Sequence, residues 1–527
     1  MTSNPLLDKL CVWQKELKND CDSEFLLDGL TFGFKIMDLP GELPESECAN
    51  YKSATCAQNF AAVENQIRKE ISLGRYYISD SKPRIISAIG AVPKPDSNDI
   101  RLIHDCSRPL GQSINSFASV ERFSFETIDS AISMAKPGFW LAKVDLKSAY
   151  RHVAIHPSQY PATGLKFRFT GEKKFTYLYH TRLMFGASRS VGIFHRITQS
   201  VVRMMRKRGF HSTLCYLDDF LVMGPSQEKC QAAMDSLVEL LCALGFTINW
   251  SKVVPPTQRI TFLGIEIDMT AHKMFIPMDK LSNIKSSIAH WLNQSKVSKK
   301  QLQSIIGSIS WGAKCIKAIR PILRSIIDLQ ASLQHAQQRI RLPMTVKNDL
   351  RFFYDWCVCF NGVSFTPGGQ RFQPDTTVFT DASLSAGAAY NDKDFYYCAW
   401  PADFPNLMHH PIYIKELCAI LLAFHRWPYK WRDKVVMIYT DNRAAEWAIR
   451  KGLSKNPIAN NIIREILWIA ASFNITISVS YIRSKDNCIA DALSRMENFT
   501  FLVELIKLLW SQGLDILGLW ITKSYDH

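Results

Sequence analysis

The stretch CYLDDFLV, residues 215–222, sets Asp218 and Asp219 side by side between apolar strand-formers. Adjacent carboxylates repel, and Asp is depleted from β-strands. The pattern reads as two short strands around an Asp-Asp turn, where Asp is common for local hydrogen-bonding reasons alone. A hard divalent cation gives the pair a second purpose. Mg²⁺ takes oxygen ligands, usually one or two carboxylates plus substrate phosphates. Its charge offsets the repulsion between neighbouring carboxylates.

Working outward, FWLAKVDL (139–146) is a strand with Asp145 near its end. Together with the Asp pair it makes an arrangement suited to two cations. Two ions ~3.5–4 Å apart can clamp the attacking and leaving oxygens of an in-line phosphoryl transfer. Asp145 and Asp218 are expected to supply the clamp, with Asp219 supporting it. Upstream, PRIISAIGAV and IRLIHD flank the polar turn PKPDSND and predict a hairpin over 83–105. A helix is expected after Gly186, and another over 227–245 ending in a glycine. ITFLGIEID (260–268) reads as one strand, and 279–340 as helices. Residues 1–80 read as a mixed N-terminal arm, helical at 59–73.

The chain has 527 residues, 47% of them hydrophobic, which is enough for real cores and excludes a mostly disordered chain. Its net charge of +15 favours a polyanionic partner, nucleic acid before anionic membrane. The 14 cysteines are scattered. Cys357 and Cys359 form a C-x-C without a second half, which argues against zinc and for free thiols in a reducing compartment. The polar start argues against a signal peptide and for an intracellular protein, cytoplasmic or nuclear and not secreted. The stretch 499–520 is interrupted by Glu504, Lys507 and Asp515, so it predicts an amphipathic tail rather than a membrane span.

A second alternation of strands and helices begins near residue 375, after the linker-like PGGQRFQPD (367–375). Asp381 ends a strand in FTDAS, Glu416 lies in the helix IKELCAI, Asp441 ends a strand in YTDN, and Asp491 opens a helix in IADALSR. A single Asp at a strand end is often only a turn or cap residue. Strand-end carboxylates plus one from a helix can instead converge on one Mg²⁺ site.

VDLKSAYRHVAI (144–155), LMFGASRSVGIFH (183–195) and YLDDF (216–220) occur in that order. With these motifs the chain resembles a retroelement reverse transcriptase over roughly residues 80–495. The pattern is nearest to DIRS-like (tyrosine-recombinase) retrotransposons, with gypsy-type long-terminal-repeat elements as relatives. The resemblance implies that Asp145 and Asp218 bind metal, with Asp219 their neighbour in the Tyr-x-Asp-Asp turn. It implies that Tyr150 is the steric gate against a ribose 2′-hydroxyl, and that Lys94 and Arg101 hold the triphosphate. Phe185 and Gly186 would pack near the incoming nucleotide and template. Lys252 would protonate the pyrophosphate leaving group.

FLGIEID resembles the segment that grips the primer, and the helices that follow resemble a thumb. Lys299, Lys300, Lys314, Lys317, Arg320 and Arg324 there could track a duplex backbone.

The second region resembles the RNase H fold, whose acidic residues arrive in the order of Asp381, Glu416, Asp441 and Asp491. The family often has a His ten residues before the last Asp, where this chain has Tyr481. Asn487, four before Asp491, matches a polar residue of the same loop, and Ser383 and Asn442, which closely follow Asp381 and Asp441, could contact the hybrid.

The expected architecture is multidomain α+β. An N-terminal arm (1–80) precedes fingers and palm (81–270) and a helical thumb or connection (271–345). A linker (346–374), an α/β RNase H-like domain (375–497) and an amphipathic tail (498–527) follow. The implied cofactor is Mg²⁺ or Mn²⁺, two ions per active site. The implied partners are an RNA template, a DNA primer, the RNA–DNA hybrid and dNTPs, with other retroelement proteins possible and no membrane. Two rival readings are an inactive or domesticated nucleic-acid-binding relic and a polymerase that lacks RNase H activity. No protease, zinc-knuckle, integrase or tyrosine-recombinase signature is read in the sequence.

Overall fold

Helices α1 (Leu10–Glu16) and α2 (Ser23–Phe32) belong to the core of the first structural unit, not to a separate arm. Trp13 is fully buried beside Phe246, and its indole Nε1 donates to the Leu244 carbonyl at 3.0 Å. Asp20 and Asp22 pair with Arg203 and Arg196 at 2.7 and 2.5 Å. The polar surface pattern of this segment hid its few large apolar anchors, which pack against residues some 200 positions later.

The computed structural model describes residues 4–38, 41–93, 100–312, 315, 319–359, 362–365, 373–392 and 394–495. They fall into two units that divide between Leu263 and Gly264. In the first unit, α3 (Ala57–Ser72) packs against the hairpin of β1 (Ala88–Pro93) and β2 (Ile100–Asp105). The expected hairpin register therefore forms, with Val92 opposite Arg101.

A second sheet carries the Asp-rich motifs. Its strands are β3 (Trp140–Asp145), β4 (Thr213–Tyr216), β5 (Asp219–Gly224) and β6 (Val254–Thr257), in the spatial order β6-β3-β5-β4. Helices α4 (Ser188–Lys207) and α5 (Gln227–Ala243) cover it with a continuous apolar face. The turn between β4 and β5 consists of Leu217 and Asp218, and Asp219 already belongs to the ladder. This corrects the expected Asp-Asp turn. Leu217 takes φ +56°, a left-handed conformation that costs a non-glycine residue about 1–2 kcal/mol. The expected single strand 260–268 is also corrected. It breaks at Leu263 and Gly264, both with positive φ, into Arg259–Phe262 and Ile265–Asp268.

After strands Ile265–Asp268 and Lys273–Phe275, the second unit continues with helices α6 (Met278–Leu292), α7 (Lys299–Gly312), α8 (Ile319–Ala331) and α9 (Met344–Cys359). Helix α9 overlaps the first part of the expected linker 346–374. Val346, Leu350, Phe353 and Cys357 recur at helical spacing and are buried, so this part is packed structure. A short strand pair, Lys296–Ser298 with Arg339–Arg341, interrupts the expected helices.

Strands β7 (Thr376–Ala382), β8 (Ala386–Asn391), β9 (Asp394–Ala399), β10 (Val435–Thr440) and β11 (Thr476–Tyr481) form one sheet in the order β9-β8-β7-β10-β11. Helices α10 (Ile412–Arg426), α11 (Arg443–Lys451), α12 (Pro457–Ser472) and α13 (Cys488–Ser494) complete it. The sequence reading missed β8, AGAAYN, because small residues carry little strand signal. Smallness is required there, since a Cβ on Gly387 would lie 2.3 Å from the Trp400 ring.

Among the described residues no helix is long and apolar enough to cross a membrane. The expected amphipathic tail, most of the 367–375 stretch, Lys94, Lys314 and Lys317 lie outside the described residues, as does the side chain of Arg320.

Two candidate active sites

Antiparallel pairing sets Asp219 directly opposite Asp145, while Asp218 sits in the turn. Directly paired residues project to the same face of a sheet, so Asp145 and Asp219 share one face. Asp145 is 3% exposed and accepts from the Asn249 Nδ2 at 2.7 Å. Lys252 Nζ lies 3.3 Å from its other oxygen. Lys143, two residues before Asp145 on β3, reaches within 3.9 Å of Asp219. Burial pushes the Asp219 carboxyl up to about 6 against the pull of Lys143, and the charges of Asp145 and Asp218 add to the rise. Burial also raises Asp218, with Asp145 contributing. The Asp219 Oδ1 is buried without a hydrogen bond among the described residues. The carboxylates of Asp145 and Asp219, with an Asp219 Oδ1 that makes no hydrogen bond and has only the Lys143 ammonium nearby, offer oxygen donors suited to a hard divalent cation, although among the described residues these acids do not converge as closely as those of the second site.

The flanking positions gather around the same sheet. The Tyr150 ring stands 4.7 Å from Phe185, edge to face, and is 6% exposed, whereas Phe185 is 55% exposed. Burial pushes the Tyr150 hydroxyl up to about 12. Gly186 has φ +107°, and a Cβ there would lie 2.3 Å from the His104 carbonyl on β2, so only glycine fits. Arg101 is exposed on the same strand. Lys143 and Asn249 were missed as contributors. The signals were the i, i+2 spacing of Lys143 to Asp145 and the placement of Asn249 three residues before Lys252.

The second site follows from strand direction. β7 and β10 are parallel neighbours with Thr380 opposite Thr440, so Asp381 and Asp441 leave the same sheet edge together. Glu416 reaches them from α10, and ligand oxygens of the three acids lie within 4.8 Å of one another. Glu416 accepts from the Ala382 amide and the Thr440 hydroxyl, both at 3.3 Å. Burial pushes Asp381 up to about 6, opposed by a hydrogen bond from Ser494 and aided by Asp441 and Asp491. Burial first, then the charges of Asp381 and Asp441, hold Glu416 well above the usual carboxylate range. These three oxygen donors also fit a hard divalent cation.

Asp491 is not one of the three converging acids. It faces Arg495 at 2.7 Å from α13. Asn442 caps α11, accepting from the amides of Ala444 and Ala445. Arg443 lies over the Tyr481 ring at 4.0 Å from its centroid. Ser484, which donates to Asp441 at 2.6 Å, and Ser494 were missed, because nothing in their spacing points to carboxylates so distant in sequence.

An α+β unit with paired carboxylates on its central sheet, followed by a 3-2-1-4-5 mixed sheet with acids at its parallel edge, defines a polymerase fold joined to an RNase H-like fold. Residues 92–267 match the family described as Reverse transcriptase (RNA-dependent DNA polymerase).

The chain is 23% identical over 418 residues to Polyprotein P3 of Commelina yellow mottle virus, covering 73% of this chain and 20% of that protein. It is 25% identical over 175 residues to the Gag-Pol polyprotein of gibbon ape leukemia virus, covering 33% and 10%. The chain thus spans about a fifth or less of the length of these relatives. The foamy viral protease-reverse transcriptase in complex with RNA/DNA hybrid superimposes with a TM-score of 0.53 at 14% identity, covering 90% of this chain and 63% of that one. The foamy viral protease-reverse transcriptase dRH in complex with ds DNA gives 0.51 at 14% identity, covering 89% and 81%. This likeness establishes the fold.

Proposed function

We propose that the protein is an RNA-directed DNA polymerase of a retroelement, DIRS-like in its motif pattern, with RNase H activity in its second unit. The observation that carries the reading is the direct pairing of Asp145 with Asp219 inside the segment that matches the reverse transcriptase family. The substrates would be an RNA template, a DNA primer and dNTPs, a class that the net charge of +15 suits. Nucleic-acid substrates and free cysteines favour an intracellular site of action, cytoplasmic or nuclear.

Asp145, Asp218 and Asp219 would hold Mg²⁺ or Mn²⁺, two ions per site. Bound divalent cations supply charge stabilisation to in-line phosphoryl transfer. The primer 3′-hydroxyl would give up its proton to solvent as its oxygen bonds to the α-phosphorus, and the bond from that phosphorus to the oxygen bridging to the β-phosphate would break, releasing pyrophosphate. Lys252, side chain 60% exposed beside Asp145, would donate the proton that leaving pyrophosphate takes up. Tyr150, held by Phe185 and Phe194, would stand beneath the sugar and exclude a 2′-hydroxyl. Phe185 and Gly186 would line the nucleotide pocket, and Lys94 and Arg101 would hold the triphosphate.

In the second unit Asp381, Glu416, Asp441 and Asp491 would hold the cations for hydrolysis of the RNA strand by water. The convergence of three of these acids favours an active RNase H over a polymerase alone.

Primer extension on poly(rA) with an oligo(dT) primer tests the first activity, with Asp218→Asn and metal chelation as controls. Extension lost in both controls is the expected result. Intact protein that binds the hybrid and never extends it would leave a nucleic-acid binder without polymerase chemistry.

A further inference from the structure

We propose that Ser494 is a positioning residue of the second site, aiming the Asp381 carboxylate and latching α13 onto the acidic cluster. The inference rests on the reading of that cluster as a divalent-cation site. Ser494 is fully buried, and its hydroxyl donates to Asp381 Oδ2. A carboxylate has two oxygens, so a donor fixed on Oδ2 sets the rotation of the group. Asp381 is itself 4% exposed, and no other side-chain hydrogen bond to it is found among the described residues.

The same residue is held at its backbone. The Ser383 hydroxyl, two residues beyond Asp381 on the same chain segment, donates to the Ser494 carbonyl at 2.8 Å. At the opposite end of α13, Asn487 Nδ2 donates to the Thr380 carbonyl at 3.0 Å. Helix α13 is thereby tied at both ends to residues 380–383, the end of β7. Asp491 lies between the two ties. Its distance from Asp381, Glu416 and Asp441 is thus set by Asn487 on one side and Ser494 on the other. Partners that orient a metal-binding carboxylate typically contribute 10–100-fold in metal affinity.

The test uses the full chain carrying Asp145→Asn and Asp219→Asn, which removes the first cation site. Mn²⁺ binding is measured by calorimetry in this background, with Ser494→Thr and Ser494→Val as a near-isosteric pair differing in the hydroxyl. We expect Ser494→Val to weaken binding about tenfold and Ser494→Thr to stay near the parent. Thermal unfolding of the pair in EDTA reports whether both remain folded. If Val merely unfolds the unit, Ser494→Cys, smaller and a poorer donor, must show the same weakening. Equal affinity in the parent, Thr, Val and Cys proteins, with Asp441→Asn still abolishing binding, would overturn the role of Ser494 alone. Absence of any Mn²⁺ binding sensitive to Asp441→Asn would overturn the cation-site reading and the inference with it.

Discussion

Asp145 and Asp219 are direct cross-strand partners, two carboxylates at the same rung of an antiparallel ladder. Like charges directly opposite one another destabilise a sheet. The pair is therefore a place where the sheet gives up stability, a cost that the proposed cation site would explain. Asp219→Asn should raise the unfolding temperature in EDTA while lowering primer extension by roughly 100-fold or more, the scale of losing one group that stabilises transition-state charge. Scanning calorimetry and extension assays on the same preparation check both signs.

Asp381 predicts a pH dependence. Its folded value of about 6 lies above the ordinary 3.8, so between these values the folded state keeps a proton that the unfolded chain has lost. Metal-free stability from this group is highest below pH 3.8, falls as pH rises through the window, and is fully lost above about 6. Asp381→Asn should stabilise the metal-free protein by about 2–3 kcal/mol at pH 7.5 and hardly at all at pH 4. Urea unfolding at the two pH values measures it. Cation binding needs the carboxylate, so Mn²⁺ affinity should weaken below pH about 6.

Trp13→Ala should cost about 3–5 kcal/mol, the usual scale for a fully buried Trp. An N-terminal arm detached from the core would leave the urea midpoint unchanged. The Leu244 carbonyl also loses its donor, which adds to the effect.

Gly186→Ala should abolish nucleotide incorporation or folding of the pocket, because its Cβ would meet the His104 carbonyl at 2.3 Å and the backbone is left-handed. A variant with wild-type extension would show that β2 can move away.

Tyr150→Ala should raise the use of ribonucleotides relative to deoxynucleotides by roughly tenfold or more, since removing a steric exclusion of one hydroxyl is worth about 1–3 kcal/mol. Competitive incorporation of the two nucleotide types reads the ratio. An unchanged ratio would make Tyr150 only a core residue beneath Phe185.

By itself the sequence determined the class of chemistry and the order of the parts. Carboxylates next to strand ends, a positive net charge and two alternations of strands and helices are local or compositional features, and short-range physics suffices to read them. Tertiary structure decided which acids meet. Register, set by a turn at Leu217–Asp218, put Asp219 rather than Asp218 opposite Asp145. Parallel pairing of β7 with β10 brought Asp381 beside Asp441, sixty residues away in the chain. The helical spacing of Val346, Leu350, Phe353 and Cys357 in α9 was legible and was overlooked. The burial of Trp13, the glycine seat of Trp400 and the Ser494 latch were invisible in the sequence. Each depends on partners distant in the chain, and side-chain spacing along one segment carries no information about what the fold brings against it.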